Sequence, residues 1–193
     1  MTRTKTQTDL QVLGHALEIV HESGIRGLTF SHLATRSGLA APTLVQRFSN
    51  KSTLTRLTLL YAWDVLESHT NDLATAAPKT AEGATELLLA LSRQYAGPDS
   101  VANGLLLLRE DVLDAELRAR GQAWERQLAA ALNSCLGSSP EDEVGFALAA
   151  YWQGCVLWWA YRAAPPLEED LTRRLIGFLT LIGRYGDPVT DGE

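Results

Sequence analysis

Residues 24–54 read GIRGLTFSHLATRSGLAAPTLVQRFSNKSTL, and the placement of glycine, proline and apolar side chains in this run decides the fold. Thr29 or Ser31 caps a short helix through Arg36, and Gly38 supplies the turn that follows it. Pro42 suits the first turn of the next helix, where a missing N–H has no intrahelical partner to lose. That helix reaches about Phe48. Leu28, Leu33, Ala34, Leu39, Leu44 and Phe48 are expected to form a small core, with Ala34 where the two helices cross closely. Two short helices about a tight turn predict a helix-turn-helix.

Working outward, Leu10, Leu13, Leu17 and Val20 recur at helical spacing and predict a preceding helix that ends near Gly24. Ser49 or Asn50 caps a long helix over 51–74, with Leu54, Leu57 and Tyr61 on one side. Further helices are expected at about 80–95, 101–110, 114–136, 141–163 and 167–185. Gly97-Pro98, the Gly137–Pro140 run and Pro165-Pro166 punctuate them. No run alternates strictly between apolar and polar, so strands are not expected. The fold class is all-α: a three-helix head on residues 1–50 and a six-helix body on residues 51–193, connected by the 51–74 helix. The 141–163 helix is apolar on nearly every side, through Phe146, Leu148, Tyr151, Trp152, Cys155, Val156, Trp158, Trp159 and Tyr161. A helix apolar all round must be buried all round. The final helix adds Leu171, Leu175, Phe178 and Ile182, so the last two helices are expected to pair with a second copy as a homodimer.

The 193 residues are 46% hydrophobic and 21% charged, the balance of a globular protein. The net charge of −6 hides an asymmetry. Residues 1–60 carry seven Lys and Arg against three acids, whereas the rest carry ten against twenty. A basic module joined to an acidic one is expected where only the first meets phosphates. Met1 to Leu10 lacks the apolar core of a signal peptide, and no apolar run approaches membrane-spanning length. A cytoplasmic location with no membrane contact is therefore expected. Cys135 and Cys155 stand apart without a zinc-ligand pattern and read as core thiols. His15, His21, His32 and His69 do not form a metal spacing, and the chain has no GxSxG, HExxH or phosphate-binding loop. Neither an enzyme nor a cofactor is expected.

The stretch over residues 10–57 resembles the N-terminal domain of TetR-family transcriptional regulators. Gly24, Thr29, Leu33-Ala34, Gly38-Leu39, Thr43-Leu44, Phe48, Lys51 and Leu54 stand at the family's spacing. The resemblance implies a ligand-responsive regulator that binds a palindromic operator in double-stranded DNA as a homodimer, most commonly as a repressor. The DNA-facing residues would be Thr29, Ser31, Ala41, Pro42, Thr43, Val45, Gln46, Arg47 and Lys51. Thr29 and Lys51 would hold phosphates, Gln46 would meet an adenine edge, and Arg47 a guanine or a phosphate. Arg3 and Lys5 would form an arm reaching toward DNA. Val45 departs from the family's usual tyrosine and has no hydroxyl to give a phosphate. The resemblance also implies a pocket in the body for a small-molecule effector, with Tyr61, Tyr95, Trp124, Tyr151 and Trp152 as aromatic lining for a flat hydrophobic or cationic molecule. The alternative is a non-enzymatic helical dimer that senses a ligand or a protein partner and has lost DNA reading.

Overall fold

The computed structural model describes residues 7–186, with side chains through residue 183. Among these residues the chain forms nine helices and no strand. They are α1 (Asp9–Gly27), α2 (Phe30–Ser37), α3 (Ala41–Phe48), α4 (Lys51–Ala76), α5 (Ala81–Ser92), α6 (Pro98–Leu113), α7 (Ala115–Leu136), α8 (Glu143–Arg162) and α9 (Leu167–Gly186). None of the described helices is long and apolar enough to cross a membrane.

The chain divides into two compact units, one of residues up to Ser68 with Ala102–Gln122, the other of His69–Val101 with Ala123 onward. Packing thus draws its division within α4, and α6 with the start of α7 joins the helix-turn-helix. The role boundary expected at residue 50 is a different division, and it returns below as part of the functional proposal.

In the first unit Thr8 caps α1 through a reciprocal box, its hydroxyl accepting from the Gln11 N–H at 3.3 Å while its own N–H donates to Gln11 Oε1 at 2.9 Å. The regular helix breaks at Gly24, as the spacing predicts. Its φ of 66° and ψ of −179° lie where only glycine sits without strain, and one further turn follows to Gly27. Val12, Leu13, Ala16, Ile19 and Val20 face Leu28, Leu33, Leu44, Phe48 and Leu54 in one buried cluster, with Ala34, Leu39, Leu57 and Tyr61 packed at its edge. Leu10 is the exception to the expected row and is exposed, because α1 begins only one residue before it.

Leu107 of α6 packs on the same cluster. Polar clasps extend the attachment. Arg56 of α4 pairs with Asp114 at 3.1 Å and with Glu116. The Trp63 indole donates to Asp111 Oδ1 at 3.1 Å, and Arg120 bridges Glu67 at 2.9 Å and Asp64 at 2.5 Å. These pairs place α6 and the start of α7 in the head's packing unit.

In the second unit α5 packs on α8 and α9, and α8 packs on α9. Leu88, Leu128, Leu132, Leu148, Leu171 and Leu175 are essentially inaccessible. Each buried tryptophan finds a partner for its indole N–H. Trp124 donates to Thr70 Oγ1 at 2.9 Å, Trp152 to Ser92 Oγ at 2.8 Å and Trp159 to the Pro165 carbonyl at 2.8 Å. Asn133, fully buried, donates to the carbonyls of Pro140 and Asp142 and accepts from the Gly145 N–H, fastening the α7–α8 connection.

Candidate nucleic-acid interface

Of the two cap candidates for α2, Thr29 takes the role: its Oγ1 accepts from the His32 N–H at 3.1 Å. Ser31 stands exposed within the first turn, and its carbonyl accepts from the Thr35 hydroxyl. Thr29 remains exposed, so its oxygen and the first-turn amides of α2 face solvent together. Gly38 closes α2 in the left-handed conformation, φ 72° and ψ 13°, with its N–H donating to the Ala34 carbonyl at 2.9 Å. Ser37 Oγ donates to the Leu33 carbonyl and accepts from the Leu39 N–H, tightening the same turn.

The second helix of the pair, α3, follows after three residues. Its inner face is Leu44 and Phe48, both buried, while Pro42, Thr43, Val45 and Gln46 are exposed and Ala41 is half-buried. Val45 is 43% exposed and presents an aliphatic surface to solvent. Ala40, before α3, offers no side-chain cap.

The helix ends in a tight turn. Ser49 has φ 62° and ψ −64°, and the Asn50 N–H donates to the Phe48 carbonyl at 2.7 Å, the three-residue γ-turn of positive φ. Asn50 then caps α4, its Oδ1 accepting from the Thr53 N–H at 2.9 Å. Between α3 and α4 there is no slack beyond these two residues.

The two cations expected at the interface differ in placement. Lys51 is exposed, with its ammonium donating to the Arg26 carbonyl at 3.5 Å, a reach that leaves it available to an anion. Arg47 is half-buried. Its Nε donates to Asp9 Oδ1 at 2.7 Å, a terminal nitrogen contacts the same carboxylate and donates to the Gln7 carbonyl at 2.9 Å, and its Cζ lies over the Phe48 ring at 5.9 Å from the centroid. Arg36 is paired with Glu22 and Glu18, which holds α2 against α1. Helical spacing places Arg47 on the outer side of α3 but carries no sign of Asp9 as its partner. The Thr8–Gln11 capping box that fixes Asp9 was legible as T-x-x-Q ahead of an apolar run. Arg3 and Lys5 lie outside the described residues.

The five aromatics expected to line an effector pocket do not form one group. Tyr61 belongs to the first unit, packed against the helix-turn-helix core. The other four are in the second unit. Trp124 and Trp152 are buried with their indole N–H groups engaged. Ser92 brings Trp152 and Tyr95 together, accepting from the indole of one and, through its carbonyl, from the backbone N–H of the other. Burial pushes the Tyr95 phenol above its ordinary range. Tyr151 stacks on Phe178 at 4.4 Å between centroids. An open cleft of about 570 Å³ in the same unit is walled by Glu125, Arg126, Glu141, Asp142, Glu143 and Phe146, and takes none of the five. Cys135 and Cys155 are buried, and burial raises both thiols, which suits the expected core role.

Solved structures share this arrangement. A transcriptional regulator from Rhodococcus sp. Rha1 gives a TM-score of 0.64 at 20% identity, over 90% of this chain and 97% of that one. A cysteine variant of the TetR-family transcriptional regulator CifR, solved with a 26-base-pair operator duplex, gives 0.56 at 19% identity over 91% and 100%. The multidrug-binding protein EbrR, solved with imidazole, gives 0.57 at 17% identity over 85% and 87%. No protein-family model and no curated protein matches the chain. At these identities the likeness establishes the fold.

Proposed function

We propose that this chain, which has the fold of TetR-family transcriptional regulators, is itself a DNA-binding transcriptional regulator that responds to a small hydrophobic or aromatic effector. Residues 1–50 act as the reading head and residues 51–193 as the sensing and pairing body. The observation that carries the reading is α3. It is short, buried along one stripe by Leu44 and Phe48, and turns an unpaired face of Pro42, Thr43, Val45 and Gln46 to solvent beside the exposed cap of α2. A helix-turn-helix presents its second helix to the major groove in this way. Thr29 and Lys51, on either side of it, hold phosphates, and Ser31 and Ala41 border the same surface. The basic excess of the first sixty residues supplies the sequence-independent attraction.

Two copies joined through α8 and α9 would set two heads on successive major grooves of a palindrome. Effector binding in the body shifts α4, whose residues run from the head's unit into the other, and so alters the spacing of the heads. Support for both partners comes from the similar structures: CifR holds an operator duplex and EbrR is multidrug-binding. The second reading, a helical dimer that no longer reads DNA, is favoured by Val45, which has no donor, and by Arg47, whose guanidinium is engaged with Asp9.

Selection of duplexes from a random pool at ~150 mM salt separates the two. Enrichment of a palindrome with half-sites about one helical turn apart is the expected result. Recovery of no sequence, with and without candidate effectors, would leave the second reading in place.

A further inference from the structure

We propose that Asp9 is a positioning residue for DNA reading: with Gln7 it forms a bracket that holds the C-terminal end of α3 through Arg47. The inference rests on the DNA-binding reading above and assigns Arg47 a role other than touching DNA.

Few side chains seat α3 on the core. The helix is eight residues long, is anchored by two apolar side chains four residues apart, and has no side-chain cap at its start. Leu44 and Phe48 fix its depth but resist rotation about its own axis poorly, since both lie on one stripe. Bonds on the flank add to the short connections at either end in setting the rotation. Arg47 makes them, across 38 residues to Asp9 and 40 to Gln7.

The far side of the bracket is itself rigid. Asp9 is the first residue of α1, directly after the Thr8 capping box, so the carboxylate is carried on an ordered helical turn. Gln7 reaches the other way: its Nε2 donates to the carbonyl of Ser37, the last residue of α2, at 3.1 Å. Residues 7–9 therefore tie together α1, the end of α2 and the end of α3. The guanidinium also lies over the Phe48 ring, 5.9 Å from its centroid, at the outer reach of a cation–π contact.

Charge points the same way. The Asp9 side chain is 64% exposed and that of Arg47 is 23% exposed, so the anion is the more accessible partner of the pair. A phosphate brought to Arg47 would also meet the charge of Asp9, which neutralises the guanidinium. Thr43, Val45 and Gln46 read the groove in an orientation that the bracket sets, and Arg47 contributes through that orientation.

The test uses the full chain and a duplex enriched by it from the random pool, with binding followed by fluorescence anisotropy at several salt concentrations. Asp9→Ala and Arg47→Ala are each expected to weaken binding on the order of tenfold, and the double variant no further, because both remove one interaction. The salt slope should stay at its original value, where a lost phosphate contact lowers it by about 0.9. The exchanged pair, Asp9→Arg with Arg47→Asp, is expected to bind more tightly than either single alanine variant, short of the parent because the bond to the Gln7 carbonyl is lost, and a simple loss of folding or of a phosphate ligand would not allow this. Arg47→Ala lowering the slope by about one while Asp9→Ala tightens binding would overturn the bracket and make Arg47 a phosphate ligand. Unchanged affinity in Asp9→Ala would overturn it as well. Failure of the unaltered chain to enrich any duplex overturns the DNA reading and the bracket with it, so the two failures are told apart by the unaltered protein.

Discussion

Asp170 has no accessible surface, yet what covers it is charge: Arg162 and Arg174 donate to Oδ2 at 2.7 and 2.8 Å and Arg173 to Oδ1 at 2.5 Å. Its cover is a thin shell of guanidinium groups, not depth in the core. Burial by itself pushes the carboxyl up, but the hydrogen bonds from Arg174 and Arg162 outweigh it, and the group sits below the usual aspartate range. A carboxyl depressed by folding contributes stability that is complete above its unfolded value, near 3.9, and is lost as pH falls through the lower folded value. Asp170→Asn should therefore cost about 3 kcal/mol at neutral pH, the scale of a broken covered ion pair. The gap between variant and parent should hold from pH 7 to 5 and narrow once pH falls below the unfolded value, as the carboxylate is protonated. Urea melts at pH 7, 5 and 3 check this, and a gap independent of pH would mean the charge is not what matters. Individual burial was largely readable in the sequence: helical period alone puts Leu44 and Phe48 inside and Val45 and Gln46 outside. Period says nothing of where a long side chain curls. The Asp9 partner of Arg47, 38 residues away, and the Thr70 and Ser92 hydroxyls that accept from Trp124 and Trp152 leave no sign in the sequence.

Elements meet most closely where a side chain is missing. A Cβ on Gly145 would lie 2.1 Å from the Ala129 carbonyl oxygen and 2.7 Å from Asn133 Oδ1, so α8 crosses α7 with backbone against backbone. No rotamer change relieves a contact with a carbonyl. Gly145→Ala is expected to force α7 and α8 apart, to break the 2.6 Å bond from the Gly145 N–H to Asn133, and to cost about 3 kcal/mol. That is a fall of roughly 6–12 °C in Tm by calorimetry. A loss under about 1 kcal/mol would mean the crossing is looser than the distances say. Ser49 is the opposite case, a residue with a Cβ where glycine fits better. Ser49→Gly should relieve about 1 kcal/mol of strain in the γ-turn and, after the chain entropy glycine adds, leave a gain of up to about 0.5 kcal/mol. Thermal melts that show a clear loss would assign the serine an interaction of its own. Boundaries were legible to within two or three residues wherever Gly or Pro stops a helix, as at Gly38, Gly137 and Pro165. The start of α6 was the poor case. Pro98 reads as a break, but proline is equally at home in a first helical turn, and α6 begins on it.

At the scale of the whole molecule, the proposed pairing needs an apolar surface to offer a second copy. The 141–163 run is apolar all round, and α8 buries Leu148, Trp152, Cys155, Val156 and Trp159 within its own unit while leaving Phe146, Trp158 and Tyr161 exposed. Trp158, 62% exposed, lies 5.6 Å from the ring of Tyr161, 77% exposed, and α9 adds Ile176 and Leu181. An aromatic pair of this exposure suits an isologous interface in which each ring is used twice. A second surface was not foreseen: α6 exposes Leu105, Leu106, Leu108, Val112 and Leu113. The reason is physical, since a short leucine run reads as core whichever way it faces, and only packing shows which side is left over. The two surfaces make opposite forecasts. If α8 and α9 pair the protomers, Trp158→Glu removes an anchor from each side of the twofold. At about 2 kcal/mol or more per buried tryptophan, the dimer weakens on the order of a thousandfold. Sedimentation at micromolar concentration should then find monomer for Trp158→Glu and dimer for Leu106→Glu. Operator binding should fail in the first variant and survive in the second, because a single head loses its partner half-site. The reverse pattern, dimer with Trp158→Glu and monomer with Leu106→Glu, would move the interface to α6 and leave the aromatic pair on α8 without a role in pairing.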